Sequence, residues 1–297
     1  MKKKVLVTGL EGFTGAYLEN TLREKGYEVY GTSLMDSKKP NVFTCNITKP
    51  LEIETIVHDI QPDYVIHLAG IAFVAEKNAS LMYDVNVIGT ENLLKALCQL
   101  QKKPRKVILA SSATIYGHQE SAMLDETMCP KPVSHYGFSK LAMEHLGAVY
   151  FEKLPLLITR PFNYTGVGQD EHFLIPKIVK HYKENQRSIE LGNLNVSREF
   201  NDVRDVVLWY VGLLEGDACG EIVNLCSGTA ISLMDIVSLM NEVAGYEMHI
   251  NVNQAYIREH EIPTLFGSTS KLHQLICVQK ACSIQETLET MYFSKGM

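Results

Sequence analysis

Lys4-Val5-Leu6-Val7-Thr8-Gly9-Leu10-Glu11-Gly12-Phe13-Thr14-Gly15 runs a short apolar stretch straight into glycines spaced G-x-x-G-x-x-G, and an amphipathic segment, Gly15–Lys25, follows. The apolar run is too short for a helix and suits a buried strand, so the order predicted is strand, tight turn, helix. Side chains at Gly9 or Gly12 would stand between the backbone N–H groups and an approaching phosphate, and Gly15 lets the helix lie close to the strand. The turn is therefore expected to take a dinucleotide pyrophosphate, with Gly9, Gly12, Phe13, Thr14 and Gly15 as its contacts.

Further apolar runs bounded by turn residues occur at Glu28–Thr32, Tyr64–Leu68, Val107–Ala110 and Leu156–Thr159. Between them Leu51–Ile60, Asn86–Leu100 and Tyr136–Glu152 carry apolar residues at helical spacing; Leu93, Leu94, Leu97 and Leu100 form one stripe. Alternating units of this kind predict an α/β fold, a Rossmann-like doubly wound parallel sheet with helices on both faces. Past Pro161 the elements shorten: Ile175–Glu184, Val203–Leu214 and Ser232–Ala244 are expected helical, Ile189–Leu191 and Ile222–Leu225 extended. The domain division expected is 1–163 for the dinucleotide-binding part, with 203–226 returning to it. Residues 164–297 then form mainly a smaller α/β substrate-binding lobe.

The 297 residues are 46% hydrophobic and carry a formal net charge of −6, which predicts a globular chain and argues against a nucleic-acid partner. No apolar stretch is long enough to span a membrane, and Lys2-Lys3-Lys4 precedes a run too short for a signal peptide. The seven cysteines show no C-x-x-C pair, and the ten histidines no H-x-x-x-H or H-E-x-x-H spacing. Reduced thiols, no metal site and a cytoplasmic location are the expectations.

Tyr136 and Lys140 stand at i and i+4, one face of a helix. A phenol is a weak acid and a weaker base at neutral pH, and a neighbouring cation would draw its pKa down toward the working range. Ala110-Ser111-Ser112-Ala113-Thr114-Ile115-Tyr116-Gly117 follows a strand run and so falls at the carboxyl end of the sheet. There the Ser112 hydroxyl can hold the carbonyl oxygen that Tyr136 protonates. At the end of the second strand Ser33 stands where an NAD-preferring fold places an acid, so NADP is preferred and NAD is the alternative. Lys38 and Lys39 are the nearby cations.

Together with Asp63-Tyr64-Val65-Ile66-His67-Leu68-Ala69-Gly70, Asn86 and Arg160-Pro161-Phe162-Asn163, these segments resemble the extended short-chain dehydrogenase/reductases, the NAD-dependent epimerase/dehydratase family. The resemblance covers most of the first 165 residues in order. It implies Tyr136 as acid/base, Lys140 as its electrostatic partner and a ribose ligand, and Ser112 as second donor. Pro161 would lie beside the nicotinamide, and Leu68, Ala69, Gly70 and Asn86 would line the cofactor. Asn46-Ile47 stands where many relatives have Asp-Ile or Asp-Val facing the adenine. Further on, Ser197–Asp205 and Arg258-Glu259-His260-Glu261 resemble the segments that hold a nucleotide-sugar diphosphate. Asn163, Arg198, Arg258 and Glu261, with Ser112 and Tyr136, are then the implied substrate contacts. Homodimerisation through Asn86–Leu100 and Tyr136–Glu152 is implied as well.

The phrases Arg160–Gln169, Arg198–Val207 and Arg258–Gly267 look most like reductases acting on GDP-4-keto-6-deoxy-D-mannose. A 4,6-dehydratase needs an acid and a base right after the catalytic hydroxyl, and this chain has Ala113 and Thr114 there. The expectation is an NAD(P)H-dependent reductase of a GDP- or dTDP-linked 4-keto-6-deoxyhexose. Two alternatives stay open: a UDP-hexose 4-epimerase with tightly held NAD, which the Ser112–Gly117 phrase resembles, and a non-catalytic dinucleotide-binding relative.

Overall fold

The computed structural model describes residues 2–72, 78–257, 263–277 and 282–295. Lys4–Thr8 (β1) runs into the helix Phe13–Glu24 (α1), followed by Glu28–Ser33 (β2), Val42–Thr44 (β3), Pro50–Ile60 (α2) and Tyr64–His67 (β4). The segment Ala79–Gln99 comprises a short helix, a π-helical turn at Asp84–Gly89 and the helix Thr90–Gln99 (α3). Lys106–Ala110 (β5), His135–Ala148 (α4), Leu156–Pro161 (β6), Leu174–Lys183 (α5), Val203–Glu215 (α6) and Glu221–Leu225 (β7) continue the chain.

One seven-stranded sheet in the order β7-β6-β5-β4-β1-β2-β3 results, parallel throughout. Its central strands are buried on both faces, which is why they lack polar alternation in the sequence. Successive side chains of β1 part to opposite faces: Val5 and Val7 pack with Leu18, Leu22, Trp209 and Leu213, and Leu6 packs with Ile53, Leu93 and Met143. Leu93, Leu94, Leu97 and Leu100 all lie in that second cluster, so the stripe is core.

The second lobe has its own apolar cluster, built from α5, Leu233–Ala244 (α7) and Ile284–Phe293 (α8) around Tyr182, Met240 and Met291. Ser232 caps α7 through the Asp235 N–H at 3.0 Å. Short strands stand apart from that sheet: Tyr164–Thr165 pairs with Asn201–Asp202, and Ser197–Arg198 lies between Ile231–Ser232 and Thr264–Gly267. Among the described residues no helix is long and apolar enough to cross a membrane.

The π-helical turn differs from the uniform helix that periodicity predicts from Asn86 onward. One extra residue widens the turn there, a local departure that helical spacing on either side conceals. The helix that begins beside Tyr136 also ends at Ala148, four residues short of Glu152, because the chain turns at Val149–Lys153 to bury Tyr150 and Leu154.

Candidate active site

β1 delivers the glycine turn to the carboxyl end of the sheet. Gly9 adopts φ +73°, open to glycine at no cost, and the Gly9 and Leu10 N–H groups both donate to Thr32 O at 3.0 and 3.1 Å. A Cβ on Gly15 would stand 2.4 Å from Leu10 O and 2.5 Å from Gly9 O, so only glycine lets α1 begin this close beneath the turn. Gly12 is the helix N-cap and brings no capping side chain, which leaves the first amides of α1 for an anion. Phe13 stacks on Tyr164 with centroids 6.1 Å apart, and Thr14 Oγ1 lies 2.7 Å from the Tyr164 hydroxyl. The turn is thereby fastened to the second lobe.

Ser33 ends β2, half-buried, and accepts the Met35 N–H at 3.3 Å. Lys39 is spent elsewhere: its Nζ lies 2.7 Å from Glu19 Oε2. Asn46 closes its own turn, its Oδ1 accepting the Thr48 N–H and hydroxyl at 3.1 and 2.8 Å. Ile47 is buried under Gly89, where a Cβ would come within 2.6 Å of Ile47 Cγ2.

Ser112, Tyr136 and Lys140 converge at the ends of β5 and α4. Ser134 caps α4 through the Gly137 N–H at 3.2 Å, setting Tyr136 in its first turn. Ser112 Oγ accepts the Thr114 N–H and hydroxyl at 3.2 and 3.0 Å and stands near enough to the Tyr136 phenol to favour its ionised form. Burial pushes the Tyr136 phenol up to about 12, with Ser112 pulling the other way and nearby Tyr164 adding to the rise. Lys140 does not deliver the expected lowering. Its Nζ is held by Ala110 O at 2.8 Å, and burial depresses its own pKa to about 8 against the pull of Glu144. Desolvation therefore wins over the cation, and Tyr136 is a protonated acid at neutral pH.

Asn86 sits in the π-helical turn with its side chain fully employed. Oδ1 accepts the Ile71 N–H at 2.8 Å, and Nδ2 donates to Ser139 Oγ at 3.0 Å and Ile71 O at 3.2 Å. Gly70 lies against this pair: a Cβ there would be 2.9 Å from Asn86 Oδ1 and 3.3 Å from Lys140 Nζ. Leu68 and Ala69 are tied back to β1, donating to Thr8 O at 3.2 Å and Thr8 Oγ1 at 3.1 Å. Ser111 Oγ is buried with no partner among the described residues, an unfilled hydroxyl that suits a polar group of a bound nicotinamide.

Two buried networks behind these groups are absent from the sequence reading. Thr90 donates to Asn86 O at 2.7 Å, so it must accept from His67 Nε2 at 2.9 Å. His67 Nδ1 then accepts from Thr8 Oγ1 at 2.6 Å, and burial beside Lys140 lowers the imidazole to about 3, hence neutral. Second, Arg160 forks onto Glu144 at 3.0 and 2.8 Å and donates to the Tyr116 hydroxyl at 3.0 Å. One guanidinium thus grips both the helix of Tyr136 and the segment of Ser112.

On the lobe side Pro161 ends β6, and Asn163 O accepts from the Asn201 backbone and Nδ2 at 2.9 and 3.3 Å. Arg198 lies half-buried on its short strand, Nη1 donating to Ser197 O at 2.9 Å and Pro263 O at 3.1 Å. Arg258 and Glu261 lie outside the described residues.

A family model for GDP-mannose 4,6 dehydratase matches residues 6–291. The chain belongs to that family. It is an extended short-chain dehydrogenase/reductase, an oxidoreductase by class. GDP-6-deoxy-D-talose 4-dehydrogenase of Aggregatibacter actinomycetemcomitans is 36% identical over 291 residues, covering 97% of each chain. GDP-6-deoxy-D-mannose reductase of Pseudomonas aeruginosa is 29% identical over 98% of this chain and 96% of that one. The solved structure of RMD from Pseudomonas aeruginosa complexed with NADPH superposes with a TM-score of 0.85 at 28% identity, covering 98% of this chain and 97% of that one.

Proposed function

We propose that this oxidoreductase reduces the 4-keto group of a GDP-linked 4-keto-6-deoxyhexose, with NADPH as preferred reductant and NADH accepted. The observation that carries the reading is Tyr136 buried beside Ser112, with Ala113 and Thr114 rather than carboxylates directly after Ser112. Thr114 turns its hydroxyl onto Ser112 Oγ, in the place where a dehydratase needs an acid. Both relatives named above are enzymes of GDP-6-deoxyhexoses, one a 4-dehydrogenase and one a reductase.

The residues present fit a dinucleotide at the glycine turn, and a bound nicotinamide supplies the hydride. Gly9, Gly12 and Gly15 give the pyrophosphate close access to backbone N–H groups at the start of α1. Ser112 and Tyr136 hold the C4 carbonyl oxygen between two hydroxyls, and Tyr136 passes its proton to that oxygen as charge develops. Lys140, largely protonated below about pH 8, stabilises the phenolate left behind. Arg198 and Asn163, with Arg258 and Glu261, are assigned to the nucleotide diphosphate. Ile88, Phe138 and Val149 stand exposed on the segments assigned to a homodimer interface, which analytical ultracentrifugation tests. The free cysteines suit the reducing cytoplasm as its place of work.

Purified protein given NADPH and GDP-4-keto-6-deoxy-D-mannose should oxidise the cofactor in one-to-one ratio with a GDP-6-deoxyhexose product. Interconversion of UDP-hexoses with no added cofactor would overturn the proposal in favour of a 4-epimerase.

A further inference from the structure

The glycine turn carries an acid of its own. β2 ends at Ser33 with no carboxylate, but Glu11, exposed between Leu10 and Gly12, reaches across to that end of the sheet. Its Oε1 accepts the Ser37 hydroxyl at 2.7 Å, four residues past the end of β2. The Ser37 and Ser33 hydroxyls hold it below the usual carboxylate range, so it is ionised at neutral pH. Lys39 acts on Glu11 only through its charge, since its Nζ is bonded to Glu19, which Arg23 also holds at 2.9 Å.

In a dinucleotide fold the pyrophosphate meets the glycine turn and the adenosine ribose meets the end of the second strand. Glu11 spans those two places, from beside Gly12 to Ser37 in the loop that leaves β2. We propose that Glu11 is the residue that lets this chain accept NADH beside NADPH, its carboxylate accepting the 2′-hydroxyl of NADH and weakening, without reversing, the preference for NADPH. The inference rests on the dinucleotide reading above. It explains how a chain without an acid at Ser33 accepts NADH: the acid comes from the turn. NADPH is admitted when the exposed carboxylate swings off the ribose, a movement that breaks the Ser37 bond.

Glu11→Gln keeps the shape and removes the charge. Its ratio of kcat/KM for NADPH over NADH should rise about tenfold, and that of Glu11→Arg further, as expected for an anion pair at close range in partly exposed surroundings. Titration of NADH and NADPH by nicotinamide fluorescence should show the same change in the ratio of Kd values. An unchanged ratio, with both cofactors still binding wild type and variant, overturns the role of Glu11. Failure of wild type to bind either cofactor overturns the dinucleotide reading, and this inference with it.

Discussion

Replacing Glu144 by glutamine should damage both the fold and the alkaline side of the pH profile. The Arg160–Glu144 pair is a two-bond fork at 3.0 and 2.8 Å, with side chains 3% and 4% exposed. The glutamine amide oxygen could still accept one bond, but the guanidinium would remain a buried charge without a counter-ion. Removal of one member of such a pair costs about 3–5 kcal/mol, equivalent to a fall in Tm of roughly 6–10 °C at about 2 °C per kcal/mol. Deletion of the whole pair, as in Glu144→Leu/Arg160→Met, leaves no orphaned charge and should recover most of that loss.

The same carboxylate opposes the depression of the Lys140 pKa. Activity that needs protonated Lys140 should decline in wild type as pH rises through about 8. In Glu144→Gln the decline should begin at lower pH, because the support is gone and Arg160⁺ repels the ammonium. Urea denaturation of the single and double variants, with a pH–kcat profile of each soluble one, reads both effects. A single variant that loses under about 1 kcal/mol and keeps its alkaline limb would refute the brace.

Tyr136→Phe should lower kcat by about 10²–10⁴-fold, the usual worth of a positioned general acid, with cofactor Kd unchanged; retained turnover would remove Tyr136 from the chemistry. Gly15→Ala should abolish dinucleotide binding, since its Cβ would meet Gly9 O and Leu10 O at 2.5 and 2.4 Å. Gly26→Ala, at φ +85° in open space, should cost stability and leave binding intact, which equilibrium dialysis distinguishes. His67 has its folded pKa lowered to about 3, so the unfolded chain takes up a proton near pH 6.5 that the fold refuses. Stability is therefore fullest above about pH 6.5 and declines below it by about 1.4 kcal/mol per pH unit from this group. Denaturation curves of wild type and His67→Asn should differ in that slope; equal slopes would contradict a neutral, buried His67.

The glycine turn, the Tyr136–Lys140 pair and the Ser112 segment were legible because each is local: strand-to-turn order and helical spacing place their residues without knowledge of the rest of the chain. Strands β1, β4, β5 and β6 were legible for a similar reason, as apolar runs buried on both faces. The two-residue strands at Tyr164 and Arg198 carry no period and so gave no signal. Glu11 on Ser37 and Arg160 on Glu144 join residues brought together only by packing, although the i, i+4 spacing of Lys140 and Glu144 was available. The upward shift of the Tyr136 phenol could not be read, because spacing shows a nearby cation but not the burial that outweighs it.

Hydride delivery to C4 is most directly tested with NADPH deuterated at nicotinamide C4, on the face that the enzyme uses, and GDP-4-keto-6-deoxy-D-mannose. Mass and NMR analysis of the product should find one deuterium, bonded to C4 of a GDP-6-deoxyhexose, with one equivalent of NADP⁺ formed. A product carrying no deuterium from either labelled face, or carrying it at another carbon, would contradict reduction at C4.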